Sequence, residues 1–146
     1  MESIRVLLAE DIAILRKALL SLLAPYPEVV VVGEASDGLE AVRLVGELAP
    51  QVVLMDLSMP HMDGPEAISE IKRQRPETRV IALTAHSDPE LVSKTLLSGA
   101  DGYMLKNANA EELVSAIRSV ASGRQYISVE IAKVLVGQPG LCGGSA

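Results

Sequence analysis

The chain has 146 residues, 49% of them apolar, and a formal net charge of −6. This length suits one domain, since single domains most often have ~100–150 residues, and the apolar share is too high for a disordered chain. The acidic balance argues against a surface that binds nucleic acid or anionic lipid by itself. A lone cysteine, Cys142, excludes a disulfide framework, and no apolar run approaches the ~18 residues of a membrane helix, so we expect a cytoplasmic protein without membrane association.

Short apolar runs alternate with segments of helical periodicity from the first residues onward. Ile4–Ala9 is predicted to form a strand because it is a short run rich in branched residues. The β-branched run Val29–Val32 predicts a second strand, and Asp37 with Glu40 predicts the capped start of a second helix. Between the two strands, apolar residues at helical spacing predict the first helix: Ile12, Leu15, Leu19 and Leu22.

The second half of the chain continues the same alternation. Three further strands are predicted: Val52–Met55, Val80–Leu83 and Tyr103–Leu105. Each is followed by a helix-start signal: Pro65, Asp88 with Pro89, and Asn109 with Glu112. Glycines are predicted to end the last two of these helices: Gly99 and Gly123.

Five strand–helix units in a row predict an α/β fold. Their strands are apolar throughout, which is typical of a parallel sheet buried on both faces. We expect a flavodoxin-like, doubly wound (βα)5 parallel sheet and assume its strand order, 2-1-3-4-5. We assign residues 1–123 to this domain, and residues 124–146 to a linker with a short helix capped by Ser128 and a flexible, glycine-rich tail.

Reactive or hydrogen-bonding side chains follow four of the five predicted strands. Glu10 and Asp11 follow the first strand, Asp56 the third, Thr84 the fourth and Lys106 the fifth. Ligands of open parallel sheets bind outside the carboxyl ends of the strands. Because the first and third strands are neighbours in the assumed order, we expect the three carboxylates to share one cleft.

Three carboxylates in one cleft repel one another, so a cation is expected between them. Oxygen ligands suit Mg²⁺, which often binds beside a phosphate. An aspartate in such a site can attack phosphorus and form an acyl phosphate, whose oxygens a lysine and a threonine hydroxyl can bind. Each residue alone also has a structural interpretation, as a helix cap, a loop acid or a solvated lysine. Their coincidence at four strand ends favours the chemical interpretation.

Four stretches of the sequence match a known family. They are Leu8–Asp11, Met55–Pro60 with Asp63 and Gly64, Leu83–Ala85, and Gly99–Lys106. In this order and spacing, residues 3–123 resemble the receiver domain of two-component response regulators. The segment Ser122–Ser128 is similar to the exit from receivers of the LuxR/NarL-type branch, whose helix-turn-helix output domain does not occur within these 146 residues.

The resemblance implies a phosphorylation site in the predicted cleft. Asp56 would accept a phosphoryl group from a sensor histidine kinase. Mg²⁺ would be held by Glu10, Asp11, Asp56 and the backbone carbonyl of Ser58. His86, which occupies a variable position near the phosphate, is a weak candidate for tuning the lifetime of the phosphoryl group.

The resemblance also implies a conformational switch, not an enzyme with a released product, although receivers assist their own phosphorylation and dephosphorylation. Thr84 and Lys106 would contact the phosphoryl oxygens, and the Tyr103 ring would move inward as Thr84 shifts. The implied output is a phosphorylation-linked homodimer, formed through the final helix or through the fourth helix with the fifth strand. This domain is expected to bind no nucleic acid; DNA would be bound by an output domain if the full-length protein carries one.

Two enzymatic or carrier functions are less consistent with the residues present. A haloacid-dehalogenase-type phosphatase needs a second acid two residues after its aspartyl nucleophile, where this chain has Ser58. A flavin mononucleotide carrier of the same fold needs a hydroxyl- and glycine-rich loop after the first strand, where Glu10 and Asp11 would repel a phosphate. His61 is expected to be exposed and receives no role.

Overall fold

The computed structural model describes residues 3–85 and 88–137 of the chain, and within these ranges strands and helices alternate. The strands are β1 (Ile4–Ala9), β2 (Val29–Ala35), β3 (Val52–Asp56), β4 (Arg79–Thr84), β5 (Gly102–Leu105) and β6 (Tyr126–Ile127). The helices are α1 (Ala13–Leu23), α2 (Gly38–Leu48), α3 (Gly64–Gln74), α4 (Pro89–Leu97), α5 (Ala110–Ala121) and α6 (Val129–Val136).

All strands pair in parallel in one sheet, in the order β2-β1-β3-β4-β5-β6. This confirms the predicted doubly wound α/β fold and the order 2-1-3-4-5 that the sequence analysis assumed. The difference is β6, a strand that was not predicted and that extends the sheet beyond β5. A two-residue strand is too short to show any apolar periodicity, so its pairing has no signal in the sequence.

The sheet is buried on both faces, because each strand points alternate side chains into one of two hydrophobic cores. The α3 core lies on one face and contains Leu7, Val53, Met55, Val80, Ala82 and Tyr103 from the strands, with residues of α2, α3, α4 and α6. The α5 core lies on the other and contains Val6, Leu8, Val52, Leu54, Ile81, Leu83 and Met104, with residues of α1 and α5. This alternation decides which strand-end residues can meet.

Helix ends follow the predicted signals. The N-cap side chains of α2, α4, α5 and α6 each accept a hydrogen bond from a backbone N–H of the first turn: Asp37, Asp88, Asn109 and Ser128. Gly99 and Gly123 follow α4 and α5 with φ angles of 108° and 91°, a region that L side chains rarely adopt. The capping predictions at both ends are therefore confirmed.

The predicted end of β2 was wrong, and helix α1, which forms where its apolar spacing predicts, is more exposed than that spacing suggests. β2 continues from Val32 to Ala35, because Ala9 of β1 pairs with Ala35 after a register shift between Val6 and Leu7. Helix α1 does not bury the stripe that predicted it: the helix, described in full, buries Leu23 alone. Its stripe lies over the edge of the α5 core, so Leu19 is only partly covered and Leu15 is exposed.

Residues beyond position 123 pack onto the domain as far as the structure describes them. Ile131 of α6 is fully buried in the α3 core. The division between residues 1–123 and 124–146 stays a prediction, and the predicted tail with Cys142 lies outside the described residues from position 138 onward.

Candidate functional site

Two buried acids and a lysine meet at the carboxyl edge of the sheet. The Lys106 Nζ lies 2.9 Å from Asp56 Oδ1 and 3.1 Å from Glu10 Oε1. Both carboxylate side chains are 1% exposed, whereas Lys106 is 21% exposed and opens the cluster to solvent. The prediction that strands β1, β3 and β5 deliver these groups to one cleft is confirmed in its geometry.

Side-chain alternation explains why these three residues point the same way. Asp56 ends β3 in step with Val52 and Leu54, which face the α5 core. Glu10 comes two residues after Leu8 and Lys106 two residues after Met104, which also face that core. The acids and the lysine therefore extend the α5 face of the sheet past its edge.

A third acid completes a group of oxygens that suits a divalent cation. One carboxylate oxygen from each of Glu10, Asp11 and Asp56 lies within 4.8 Å of the others. Asp56 Oδ2 is buried and has no hydrogen-bond partner among the described residues, so one carboxylate oxygen in the cluster is left without a donor. Hard oxygen donors with an unsatisfied buried carboxylate fit Mg²⁺, which binds carboxylates and phosphates together.

The charges of the cluster are unbalanced, and the pKa values of its members reflect this. Burial raises the pKa of Glu10 above its usual range, and the nearby Asp56 carboxylate adds to the rise, against hydrogen bonds from the Ile12 N–H and from Lys106. Burial alone would lower the pKa of Lys106, but its contacts with Asp56 and Glu10 raise it on balance. Lys106 therefore stays charged and offsets part of the repulsion between the acids.

Arg16 on α1 holds the loop that carries two of the acids. Its guanidinium donates to the Glu10 carbonyl at 2.6 Å and pairs with Glu34 of β2 at 3.0 Å. These contacts tie the β1–α1 loop to the neighbouring strand. The role of Arg16 has no signal in the sequence, because an arginine that binds a backbone carbonyl has no spacing that separates it from a surface arginine.

The loop after β3 lies against the Asp56 carboxylate. The Ser58 N–H donates to Asp56 Oδ1 at 3.1 Å, and Ser58 itself is exposed. Leu57 and Met59 on either side are buried and hold the loop to the domain. The structure thus places Ser58 beside Asp56 through its amide; the metal-binding role predicted for its carbonyl stays a prediction.

Thr84 and Tyr103 belong to the opposite face of the sheet. By alternation they are in step with Val80, Ala82 and the α3 core, and Tyr103 is fully buried there. Burial raises the pKa of Tyr103 to about 12, and the nearby Thr95 and Thr84 hydroxyls moderate the rise. The Tyr103 hydroxyl nevertheless makes no hydrogen bond of normal geometry within the described part of the chain.

Comparison with known proteins places the chain in a family. Residues 6–118 match the family described as the response regulator receiver domain. The chain belongs to the response regulator receiver family. The resemblance inferred from the motifs is thereby confirmed, and the chain belongs to a family of signalling proteins.

Two similar proteins are transcriptional regulatory proteins of Bacillus subtilis. It is 44% identical over 127 residues to the transcriptional regulatory protein YhcZ of Bacillus subtilis, covering 87% of this chain and 59% of YhcZ. It is 43% identical over 133 residues to LiaR of the same organism, covering 90% of this chain and 63% of LiaR. The receiver thus spans less than two thirds of the length of these relatives.

Solved structures confirm the LuxR/NarL-type branch. A LuxR-family response regulator from Aurantimonas sp. SI85-9A1 is 34% identical with a TM-score of 0.87, over 92% of this chain and 96% of that chain. A structure described as two RcsB dimers bound to two parallel DNAs is 28% identical with a TM-score of 0.84, over 92% of this chain and 69% of that chain.

The two histidines of the receiver differ in what the structure shows. His61 is exposed, as predicted, and its Nδ1 lies 2.8 Å from Asp37 Oδ2 at the start of α2. His86, the candidate for tuning the phosphoryl lifetime, lies outside the described residues. None of the helices in the two described ranges is long and apolar enough to cross a membrane.

Proposed function

We propose that Asp56 is the phosphoacceptor of this receiver and that a sensor histidine kinase supplies the phosphoryl group in a Mg²⁺-dependent reaction. The environment of the Asp56 carboxylate is the main support for this proposal. Its Oδ1 binds the Lys106 ammonium at 2.9 Å, while its Oδ2 is buried and unpartnered among the described residues. A carboxylate held by one oxygen and free at the other is arranged as a nucleophile.

The proposed transfer is a displacement at phosphorus. Asp56 Oδ2 forms an O–P bond while the N–P bond of the kinase's phosphohistidine breaks, and the bonding pair stays on the departing imidazole. The transferred group spreads negative charge over three oxygens. Lys106 is already within reach of the carboxylate and would bind one of these oxygens. The Thr84 hydroxyl at the end of β4 would donate to another.

Glu10, Asp11, Asp56 and the Ser58 carbonyl would hold the Mg²⁺ ion. When bound, the ion neutralises the acids and the developing charge on the phosphoryl oxygens. The ion pair between Lys106 and Glu10 supports this assignment, because it keeps Glu10 at the edge of the cleft next to Asp56.

The proposed output is conformational. Phosphorylation adds about −1.5 to −2 charges and can favour only a conformation already accessible to the chain. Thr84 and Tyr103 would form the switch, with a phosphorylation-linked homodimer as the result. Regulation of transcription would follow from DNA binding by an output domain in the full-length protein, with residues 1–123 as receiver, in the cytoplasm where a kinase can reach it.

Incubation with acetyl phosphate and Mg²⁺, followed by intact-mass and peptide analysis, tests this proposal. We expect one phosphoryl group on Asp56, lost in Asp56→Ala and on removal of Mg²⁺ with EDTA. Asp63→Asn is a matched control in the same loop, since asparagine can still cap α3 where Asp63 does now. Modification of another residue, or modification independent of Mg²⁺, would contradict the proposal.

The same preparation separates the other two functions. Repeated turnover of p-nitrophenyl phosphate would identify a phosphatase instead of a switch. A protein that purifies yellow with bound flavin would identify a flavin carrier.

A further inference from the structure

The segment 126–136, comprising β6 and α6, is attached directly to Tyr103. Ile127 is paired with Tyr103 in the parallel ladder between β5 and β6. The Ser128 N–H donates to the Tyr103 carbonyl at 3.0 Å. The backbone of the proposed switch residue is therefore held by the segment that leaves the domain.

The same segment covers the core in which the Tyr103 ring lies. Ile131 is fully buried in the α3 core together with Tyr103, and Val134 and Leu135 pack against that core. Val92 of α4 is buried in the same cluster. Because protein interiors are close-packed, the ring can change position only if these neighbours move with it.

The Tyr103 side chain also lies near Thr84, the last residue of β4. The Thr84 hydroxyl is close enough to Tyr103 to moderate its pKa, and Thr84 follows Leu83, which pairs with Asp56 across β3 and β4. Tyr103 is thus near Thr84 and shares its core with Ile131.

Helix α6 has little stability of its own. It has eight residues, fewer than the ~12–15 at which isolated helices become even marginally stable. Its N-cap hydrogen bond, from the Ile131 N–H to Ser128 Oγ, is long at 3.4 Å. Val129 and Val136 at its two ends are exposed. The docking of α6 through Ile131 can therefore respond to a change in the α3 core around Tyr103.

We propose that the segment 126–136 positions Tyr103 in its inward, buried conformation, so that docking of α6 and phosphorylation of Asp56 favour each other. Ser128 and Ile131 are positioning residues in this scheme, and neither touches the phosphoryl group. The inference rests on the proposed function of Asp56 and extends it to a segment that was assigned only as a linker. Linkage requires reciprocity: whatever factor phosphorylation adds to docking, docking adds to phosphoryl binding.

The test uses the whole chain with beryllofluoride and Mg²⁺ as the probe. Beryllofluoride affinity is measured by calorimetry for the unaltered chain, for Ile131→Ala, and for two matched controls. Ile117→Ala removes an equally buried isoleucine from the α5 core, and Val136→Ala alters an exposed position of α6 itself. Amide exchange of residues 126–136 is followed with and without the probe.

We expect Ile131→Ala to weaken beryllofluoride binding by about 5-fold or more, within the usual range of coupling between sites. Both controls should bind as the unaltered chain does, although Ile117→Ala loses stability. The probe should slow amide exchange in 126–136 by a similar factor. If Ile131→Ala does not fold, Ser128→Pro replaces it: the φ of −63° suits proline, and the donor to the Tyr103 carbonyl is removed.

The possible failures are distinguishable. If the unaltered chain binds no beryllofluoride in Mg²⁺, the proposed function and the coupling are both overturned. If it binds, and Ile131→Ala or Ser128→Pro binds equally well, the coupling alone is overturned. Equal weakening in Ile117→Ala would also overturn it, because the effect would then follow general stability.

Discussion

Replacing Asp56 by asparagine should stabilise the metal-free protein, although it removes a buried ion pair. Asp56 lies within 4.8 Å of an oxygen of Glu10 and of Asp11. At that distance each repulsion is worth about 3–4 kcal/mol at an effective dielectric constant of ~20. The attraction to Lys106 at 2.9 Å is worth about 5–6 kcal/mol on the same scale. The two repulsions exceed the attraction, so we expect a gain of about 1–3 kcal/mol once relief of carboxylate burial is included.

The assay is urea unfolding in EDTA and in Mg²⁺ at about pH 8, where free carboxylates are ionised. Without metal, Asp56→Asn should unfold at higher urea than the unaltered chain. Mg²⁺ should stabilise the unaltered chain, by about 2.7 kcal/mol at a hundredfold excess over its dissociation constant, and the variant much less. In Mg²⁺, the difference between the urea midpoints of the variant and the unaltered chain should therefore become smaller or change sign.

Asp101→Asn is the matched control, with the opposite expected sign. The Asp101 side chain is only partly buried, at 14% exposure, and it faces cations instead of acids: Lys72 Nζ lies 3.0 Å and Arg79 Nη1 3.5 Å from its oxygens. It also accepts the Val80 N–H at 2.9 Å. Its loss should destabilise the protein by about 1–3 kcal/mol, with or without Mg²⁺. If Asp56→Asn were destabilising to the same degree in EDTA, the acids would not be in net repulsion and the argument for a cation site would lose its electrostatic basis.

Three further predictions concern the lysine, a cap and a glycine. Lys106→Met should destabilise the metal-free protein by about 2–4 kcal/mol, because two buried acids lose their counter-charge, and Mg²⁺ should recover part of it in urea unfolding. Asp37→Ala should cost about 1 kcal/mol at neutral pH. The Glu40 N–H holds the pKa of Asp37 below its usual range, so this contribution is present above the usual pKa and is lost as the pH falls through the lowered pKa. This prediction would be contradicted if the difference in urea midpoint between Asp37→Ala and the unaltered chain stayed constant as the pH was lowered into the acid range. Gly99→Ala, at a φ of 108°, should lower stability by about 1–2 kcal/mol because alanine is strained in this conformation. Gly46→Ala inside α2 is the control and should not lower stability, because the added Cβ meets only the movable end of a glutamine side chain. Equal thermal midpoints for the two variants would show that Gly99 is not strained by the substitution.

The site could be predicted from the sequence because its members share one simple rule. Four of the five predicted strands stop at a polar residue, and parallel strands end at one edge, so Asp56 and Lys106 are expected to meet. What the sequence could not supply was the strand order, since no local pattern encodes which strands pair. That order had to be assumed, and the structure confirms it.

Contacts that depend on tertiary packing were not predictable in the same way. Arg16 binds a backbone carbonyl, which every residue has, so its target leaves no mark in the sequence. Strand β6 has two residues, too few for any period to be recognised. Its pairing with β5 is fixed by the backbone of Tyr103 and by burial of Ile131 farther along the chain.

The position of these unpredicted elements bears on how a signal could leave the site. Asp56 extends the α5 face of the sheet, whereas Tyr103 lies in the core on the other face. A change at Asp56 therefore cannot reach Tyr103 by direct contact of side chains and has to pass around the edge of the sheet, where Thr84 ends the strand between them. Tyr103 is in turn contacted by the segment 126–136, which hydrogen-bonds to the Tyr103 backbone and packs into the core that contains the Tyr103 ring. Residues 126–136, which were predicted to belong to a linker, are thus well placed to respond to the state of Asp56, the proposed phosphoacceptor.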